Sequence, residues 1–124
     1  MTAKQIQKYN GKTVSELIKI AQRKFNKFIR DRDKELGCIS CNTGKAEQAG
    51  HYLSQGHHNA LRFDENNTNG QCIRCNLYLS GNLINYRIGL IKKIGAEKVE
   101  WLENYPKKAH KWDKFTLIEI ILKY

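Results

Sequence analysis

Cys38-Ile-Ser-Cys41 and Cys72-Ile-Arg-Cys75 decide the reading of this chain. Each pair presents two thiols from one tight turn, and two such hooks can close a tetrahedral zinc site. The segment between them carries Ala49-Gly50-His51-Tyr52, and Asn76 directly follows the last cysteine. That segment is pinned at both ends, which is where a histidine can be held rigidly enough for catalysis. A redox C-x-x-C or a pair of disulfides is the competing reading. The N-terminus argues against disulfides, because Met1 to Lys12 is polar and basic with no apolar signal core. The chain is therefore expected in the cytosol, where thiols stay reduced and paired C-x-x-C hooks read as zinc.

A length of 124 residues suits one domain. Its 40% hydrophobic content gives a modest core that a metal staple would reinforce. No run of eighteen apolar residues exists, so no membrane span is expected. Twenty-two basic side chains against twelve acidic ones leave a net charge of +10. Ten of the basic and four of the acidic residues fall within residues 1–36. An excess of this size attracts phosphate backbones in a salt-dependent, sequence-blind way, so nucleic acid is the expected partner; the bland alternative is solubility alone.

Residues 1–12 read as a flexible basic arm ending at the turn pair Asn10-Gly11, and residues 13–124 as a single zinc-containing domain. Thr13-x-x-Glu16 is a capping box, and Val14, Leu17, Ile18, Ala21, Phe25, Phe28 and Ile29 recur at helical spacing behind it. The opposite face carries Lys19, Arg23, Lys24, Lys27, Arg30 and Lys34 and is either solvated surface or a phosphate track. Gly37 ends this helix. Residues 42–71 show no long periodicity and suit a small hairpin with a long loop, its strands near His51–Leu53 and Asn69–Cys72. Helices are expected over Gly81–Ile94 and Ala96–Asn104, the latter stopped by Pro106. A terminal helix follows from the capping box Thr116-x-x-Glu119. The class is α+β, mostly helical, with a zinc-stapled ββα core and flanking helices.

Phosphodiester hydrolysis needs an activated water and charge stabilisation at phosphorus, which one histidine and one divalent ion can supply. Amide and carboxylate oxygens suit Mg²⁺ or Mn²⁺, whereas thiolates suit zinc. The order C-x-x-C, Gly-His, Asn, C-x-x-C-Asn resembles the His-Me finger (HNH) nucleases with a four-cysteine zinc, similar to endonuclease VII. The chain is more closely similar to the NinG/Rap recombination family of lambdoid phages. That likeness runs through Leu61-Arg62-Phe63, Asn67 to Cys72, Leu79-Ser80-Gly81-Asn82, Asn85 to Leu90 and Val99 to Glu103.

The resemblance implies a phage-encoded, structure-specific endonuclease acting on branched DNA such as Holliday junctions and D-loops. It implies His51 as general base and Asn67 as the central asparagine that braces the hairpin. It also implies Asn76 as a ligand of a catalytic Mg²⁺ or Mn²⁺, and Cys38, Cys41, Cys72 and Cys75 as ligands of a structural zinc. One departure stands out: many HNH fingers place a metal-binding Asp before the base, and here Gly50 holds that position. Asp64, Glu65, His57 and His58 are candidate replacements.

Arg62, Arg74 and Arg87 are candidate phosphate contacts, though arginines also serve as salt-bridge partners. Trp101 and Trp112 read as core anchors. Symmetric resolution of a junction would use two active sites, which makes a homodimer attractive. The apolar face of the terminal helix either serves that interface or folds back on the core. The rival function is a non-catalytic zinc module that binds junctions and recruits a recombination partner, a reading that Gly50 favours.

Overall fold

The computed structural model describes all 124 residues. Five helices and one two-stranded sheet follow in the order α1 (Ala3–Asn10), α2 (Val14–Asp33), β1 (Gln48–His51), β2 (Thr68–Gln71), α3 (Leu83–Ile94), α4 (Ala96–Glu103) and α5 (Lys114–Lys123). The class is mixed and mostly helical, with four cysteines gathered beside the sheet.

The capping box at Thr13 forms as expected: its hydroxyl accepts from the Glu16 amide at 3.1 Å, and Glu16 accepts from the Thr13 amide at 3.2 Å. From there α2 runs for twenty residues and buries Leu17, Ala21, Phe25 and Ile29 along one stripe. Gly37, at φ 77°, lets the chain turn out of the helix, its amide returning to the Asp33 carbonyl. The first twelve residues differ from the expected arm. Thr2 and Gln5 make a capping box of their own, α1 follows, and Tyr9 is buried against α2 and α5.

The terminal helix also starts earlier than its apparent capping box. Asp113 is the cap, accepting from the Thr116 amide at 2.8 Å, so Thr116 occupies the third helical position. Its apolar face folds back: Leu117, Ile118 and Ile121 are buried with Leu17, Ala21 and Tyr9.

A second core holds Tyr52, Leu61, Tyr86, Leu90, Val99 and Leu102. Trp101 is not an anchor in it; the ring is exposed and leans on Tyr105. Trp112 does pack, edge-on to Phe63, and donates to the Asn59 carbonyl. The second cysteine pair runs into a π-helical turn over Arg74–Tyr78, which includes Cys75, and regular helix resumes only at Leu83. Asn76 therefore lies in an irregular turn rather than at the start of α3.

The strands pair antiparallel with Gln48 opposite Gln71 and His51 opposite Thr68. All four residues of β2 are buried although three of them are polar. An ion cluster fastens this sheet to the helices. Asp33, 1% exposed, accepts from both Arg32 and Lys93 and from the Gly70 amide. Burial raises the cost of its charge, but these donors outweigh that and hold its pKa below the ordinary carboxylate value.

Candidate metal centre and histidine cleft

The four cysteine sulfurs lie within 4.8 Å of one another, and all four are free thiols. Zinc–sulfur bonds of ~2.3 Å in a tetrahedron set sulfur–sulfur edges of roughly 3.8 Å. Cys41 and Cys72 are already 3.9 Å apart. The backbone prepares the sulfurs for negative charge: the Gly44 amide points at Cys41 at 3.3 Å and the Cys75 amide at Cys72 at 3.4 Å. Burial opposes ionisation of Cys41, yet donors from Thr43 and Gly44 bring its pKa down to about 6. Cys75 is driven the other way by burial, to about 12, and Cys72 upward as well. A cluster of this kind can hold a metal ion such as zinc, whose charge compensates thiolates that cannot otherwise ionise together. Gly44 is the residue that spacing alone does not reveal. A Cβ there would sit 2.6 Å from Cys72 Cβ and 2.9 Å from its sulfur.

His51 ends β1. Its Nε2 lies 2.9 Å from the Arg62 carbonyl. A carbonyl can only accept, so Nε2 carries the hydrogen and Nδ1 keeps the lone pair. Burial pushes the pKa of the ring down, and the nearby Arg62 charge adds to this, while the carbonyl contact partly restores it. The result is a neutral imidazole at neutral pH with one defined acceptor nitrogen.

Two clefts of about 310 Å³ each share His51, Ser54 and Asn76 in their walls. His57, His58 and Lys107 line one of them; Asn26 and Gln55 line the other. Asn76 donates its Nδ2 to Gln48 at 2.8 Å, which leaves Oδ1 without a protein partner. His51 and Asn76, far apart in sequence, are thus brought to one place.

Asn67 makes no hydrogen bond to the histidine. It is fully buried and clamps the loop, exchanging hydrogen bonds with both backbone groups of Leu53 at 2.9 and 3.0 Å and donating weakly to the Leu61 carbonyl at 3.4 Å. Leu61 precedes Arg62, so Asn67 braces the loop whose Arg62 carbonyl meets His51.

No carboxylate lines either cleft. Asp64 caps the amides of Asn66 and Asn67, and Glu65 accepts from the Tyr124 hydroxyl. Both are spent on structure. Gly50 cannot bear an acid either. A Cβ on it would lie 1.7 Å from Gln71 Oε1, because the buried Gln71 carboxamide fills that space.

The three arginines separate. Arg62 is held by amide oxygens of Gln22, Asn59 and Gln55 and has no acidic partner, so its charge beside His51 is uncompensated. Arg74 is exposed. Arg87 instead forms a two-pronged ion pair with Glu103 at 2.9 and 3.0 Å, and Tyr52 donates to the same carboxylate. The positioning residues missed in the sequence are Gln48, Gln71 and Tyr86, whose hydroxyl donates to the Gly50 carbonyl at 2.7 Å. The one available signal was Thr68-Asn-Gly-Gln71, a polar stretch ending on a cysteine hook and too near the staple to be a free loop.

No helix is long and apolar enough to cross a membrane. No solved structure matches the chain. The family model described as "Bacteriophage Lambda NinG protein" matches residues 1–124. The protein ninG of Escherichia phage 933W is 46% identical over 109 residues, covering 86% of this chain and 54% of the relative. Those of Salmonella phage P22 and Escherichia phage lambda are 46% and 45% identical over the same length, with 86% of this chain and 53% of each relative covered. The chain spans about half the length of these curated relatives. A match over every residue, joined to relatives at this identity, makes the chain a member of the NinG family.

Proposed function

We propose that this chain is a zinc-stapled His-Me finger endonuclease that hydrolyses phosphodiester bonds in branched DNA with one Mg²⁺ or Mn²⁺. The observation that carries the reading is the histidine cleft. His51 is neutral, its tautomer is set by the Arg62 carbonyl, and it shares two cleft walls with an amide oxygen that has no partner. His51 Nδ1 takes the proton of the attacking water. The imidazolium formed keeps its Nε2–H on the Arg62 carbonyl, which stabilises the new charge. The Arg62 guanidinium, free of any acid, steadies the phosphate.

Oxygen donors and the absence of thiolates at the cleft fit a hard divalent ion, and Asn76 Oδ1 would hold it. Such an ion supplies charge compensation at the phosphate and the leaving 3′ oxygen. Cys38, Cys41, Cys72 and Cys75 would hold a structural zinc, which would keep β2 and the Asn76 turn in place.

DNA is expected to reach the cleft along α2. Gln22 grips Arg62, Asn26 lines the cleft, and Lys19, Arg23 and Arg30 share their stripe at helical spacing. Nucleic-acid affinity carried by such residues falls steeply with salt. Symmetric cutting of a junction would take two copies.

The lack of a carboxylate in the cleft favours a second reading, a junction-binding module without catalysis. One experiment separates them. A four-way junction, a D-loop and linear duplex are incubated with Mg²⁺, Mn²⁺ or EDTA, using wild type and His51→Ala. Metal-dependent cutting of the branched substrates, reduced by about 100-fold or more in His51→Ala with an unchanged melt, is expected. Binding without cutting in any metal selects the module, and cutting by His51→Ala at the wild-type rate rejects the base.

A further inference from the structure

Gln71 ends β2 one residue before Cys72 and is fully buried. Its Nε2 donates to Ser40 Oγ at 2.9 Å and to the Gly81 carbonyl at 2.7 Å. The Gly81 carbonyl can only accept. Ser40 spends its own hydrogen on that same carbonyl at 3.1 Å, so its oxygen is the acceptor for Gln71. Both amide hydrogens are thereby used, and the carboxamide cannot be turned over. This orientation forces Oε1 to the opposite side, where it is buried and has no hydrogen-bond partner.

Buried carboxamide oxygens are rarely left in that state, and each one asks for a reason. The direction of this one is informative. The point where a Gly50 Cβ would stand is 1.7 Å from Gln71 Oε1 and 3.1 Å from Asn76 Oδ1. Two amide oxygens, neither with a donor from the protein, therefore lie on the same side of Gly50, the residue that precedes His51.

We infer that Gln71 Oε1 is a second protein ligand for the divalent ion held by Asn76, an inference that rests on the metal-dependent reading above. The zinc staple and the Ser40–Gly81 pair hold Gln71 in place, and glycine at position 50 makes room for its carboxamide. Two neutral oxygens bring no negative charge to the ion. Affinity in the free protein is accordingly modest and rises when a phosphate completes the coordination.

The test is Mn²⁺ binding, followed by the loss of the free-ion electron paramagnetic resonance signal on the zinc-loaded full chain, with and without a four-way junction. Zinc content and thermal melts accompany each variant. Wild type is expected to bind one Mn²⁺ and Asn76→Ala to lose it. Gln71→Met, which keeps length but offers no hard oxygen, is expected to weaken binding by about tenfold or more. Gln71→Glu places a carboxylate at the same spot and is expected to tighten it. That variant decides the matter if Gln71→Met fails to fold. Mn²⁺ affinity within twofold of wild type in both Gln71 variants, with Asn76→Ala still deficient, overturns the inference and leaves the functional reading standing. Absence of Mn²⁺ binding by wild type, free or on DNA, overturns both.

Discussion

Restoring a side chain at position 50 is the most direct way to test how the cleft is built. A Cβ on Gly50 would meet Gln71 Oε1 at 1.7 Å and its Cδ at 2.6 Å. The carboxamide would have to withdraw by roughly 1.5 Å to reach even a tight contact. It is not free to do so, because Nε2 is clamped by Gly81 and Ser40 at 2.7 and 2.9 Å. Moving it breaks both hydrogen bonds at a fully buried side chain. Losing buried hydrogen bonds in this way costs about 1–3 kcal/mol for each group left unpaired, and overpacking adds a similar amount. Ser40 still serves the Gly81 carbonyl, so only the amide nitrogen is fully orphaned. We expect Gly50→Ala to cost about 3 kcal/mol, which for a chain of this length lowers Tm by about 12 °C. Gly50→Asp, which looks in sequence like the repair of a metal site, is expected to be at least as damaging. Thermal melts of zinc-loaded protein measure the effect. A double-mutant cycle with Gln71→Ala assigns it, since removing the carboxamide should reduce the cost of Gly50→Ala to below about 1 kcal/mol. A Gly50→Ala protein that melts with wild type, or a cost unchanged in the Gln71→Ala background, refutes the packing argument.

Three other outcomes follow from the same geometry. Gly44→Ala presses on Cys72 and Cys41 together, so it should lower zinc content and Tm, and Cys72→Ser should do the same; full zinc loading with an unchanged melt contradicts this. Asp33→Ala strips Arg32 and Lys93 of their buried partner and should cost about 3 kcal/mol in urea unfolding. The pH dependence of Asp33 has a defined sign. Its folded pKa lies below its unfolded one, so its stabilisation is fully present above about pH 4 and is lost as pH falls through the folded value. Asp33→Ala should therefore flatten the acid limb of a stability–pH curve. Under the proposed reading, His51 sets the acid limb of cleavage. Burial lowers its pKa, so activity should persist below about pH 6.5 before the base is protonated; a limb above that value rejects His51 as the titrating group.

Some features were legible from residue order because they are local. The capping box at Thr13 and the two C-x-x-C hooks depend on atoms only a few residues apart, and both form as read. The apolar stripe of α2 is equally local in origin. The same reasoning failed where a local signal had a competitor. Thr116-x-x-Glu119 matched a capping box, but Asp113 three residues earlier took the cap. Trp101 read as a core anchor, but α4 leaves it exposed while Val99 and Leu102 face the core.

The sequence by itself determined the two cysteine hooks and the long basic and amphipathic helix, since each rests on short-range spacing and composition, and the family resemblance singled out His51 and Asn76 as the residues to watch. Tertiary structure alone decided what surrounds them. The Arg62 carbonyl chooses the tautomer of His51. Gln71, from the opposite strand, fills the space above Gly50. The terminal helix spends its apolar face on α2. These contacts join segments widely separated in the chain, and β2 buries polar side chains with no hydrophobic period to announce it. Periodicity records which faces avoid water; it does not record which polar atoms meet once the faces are packed.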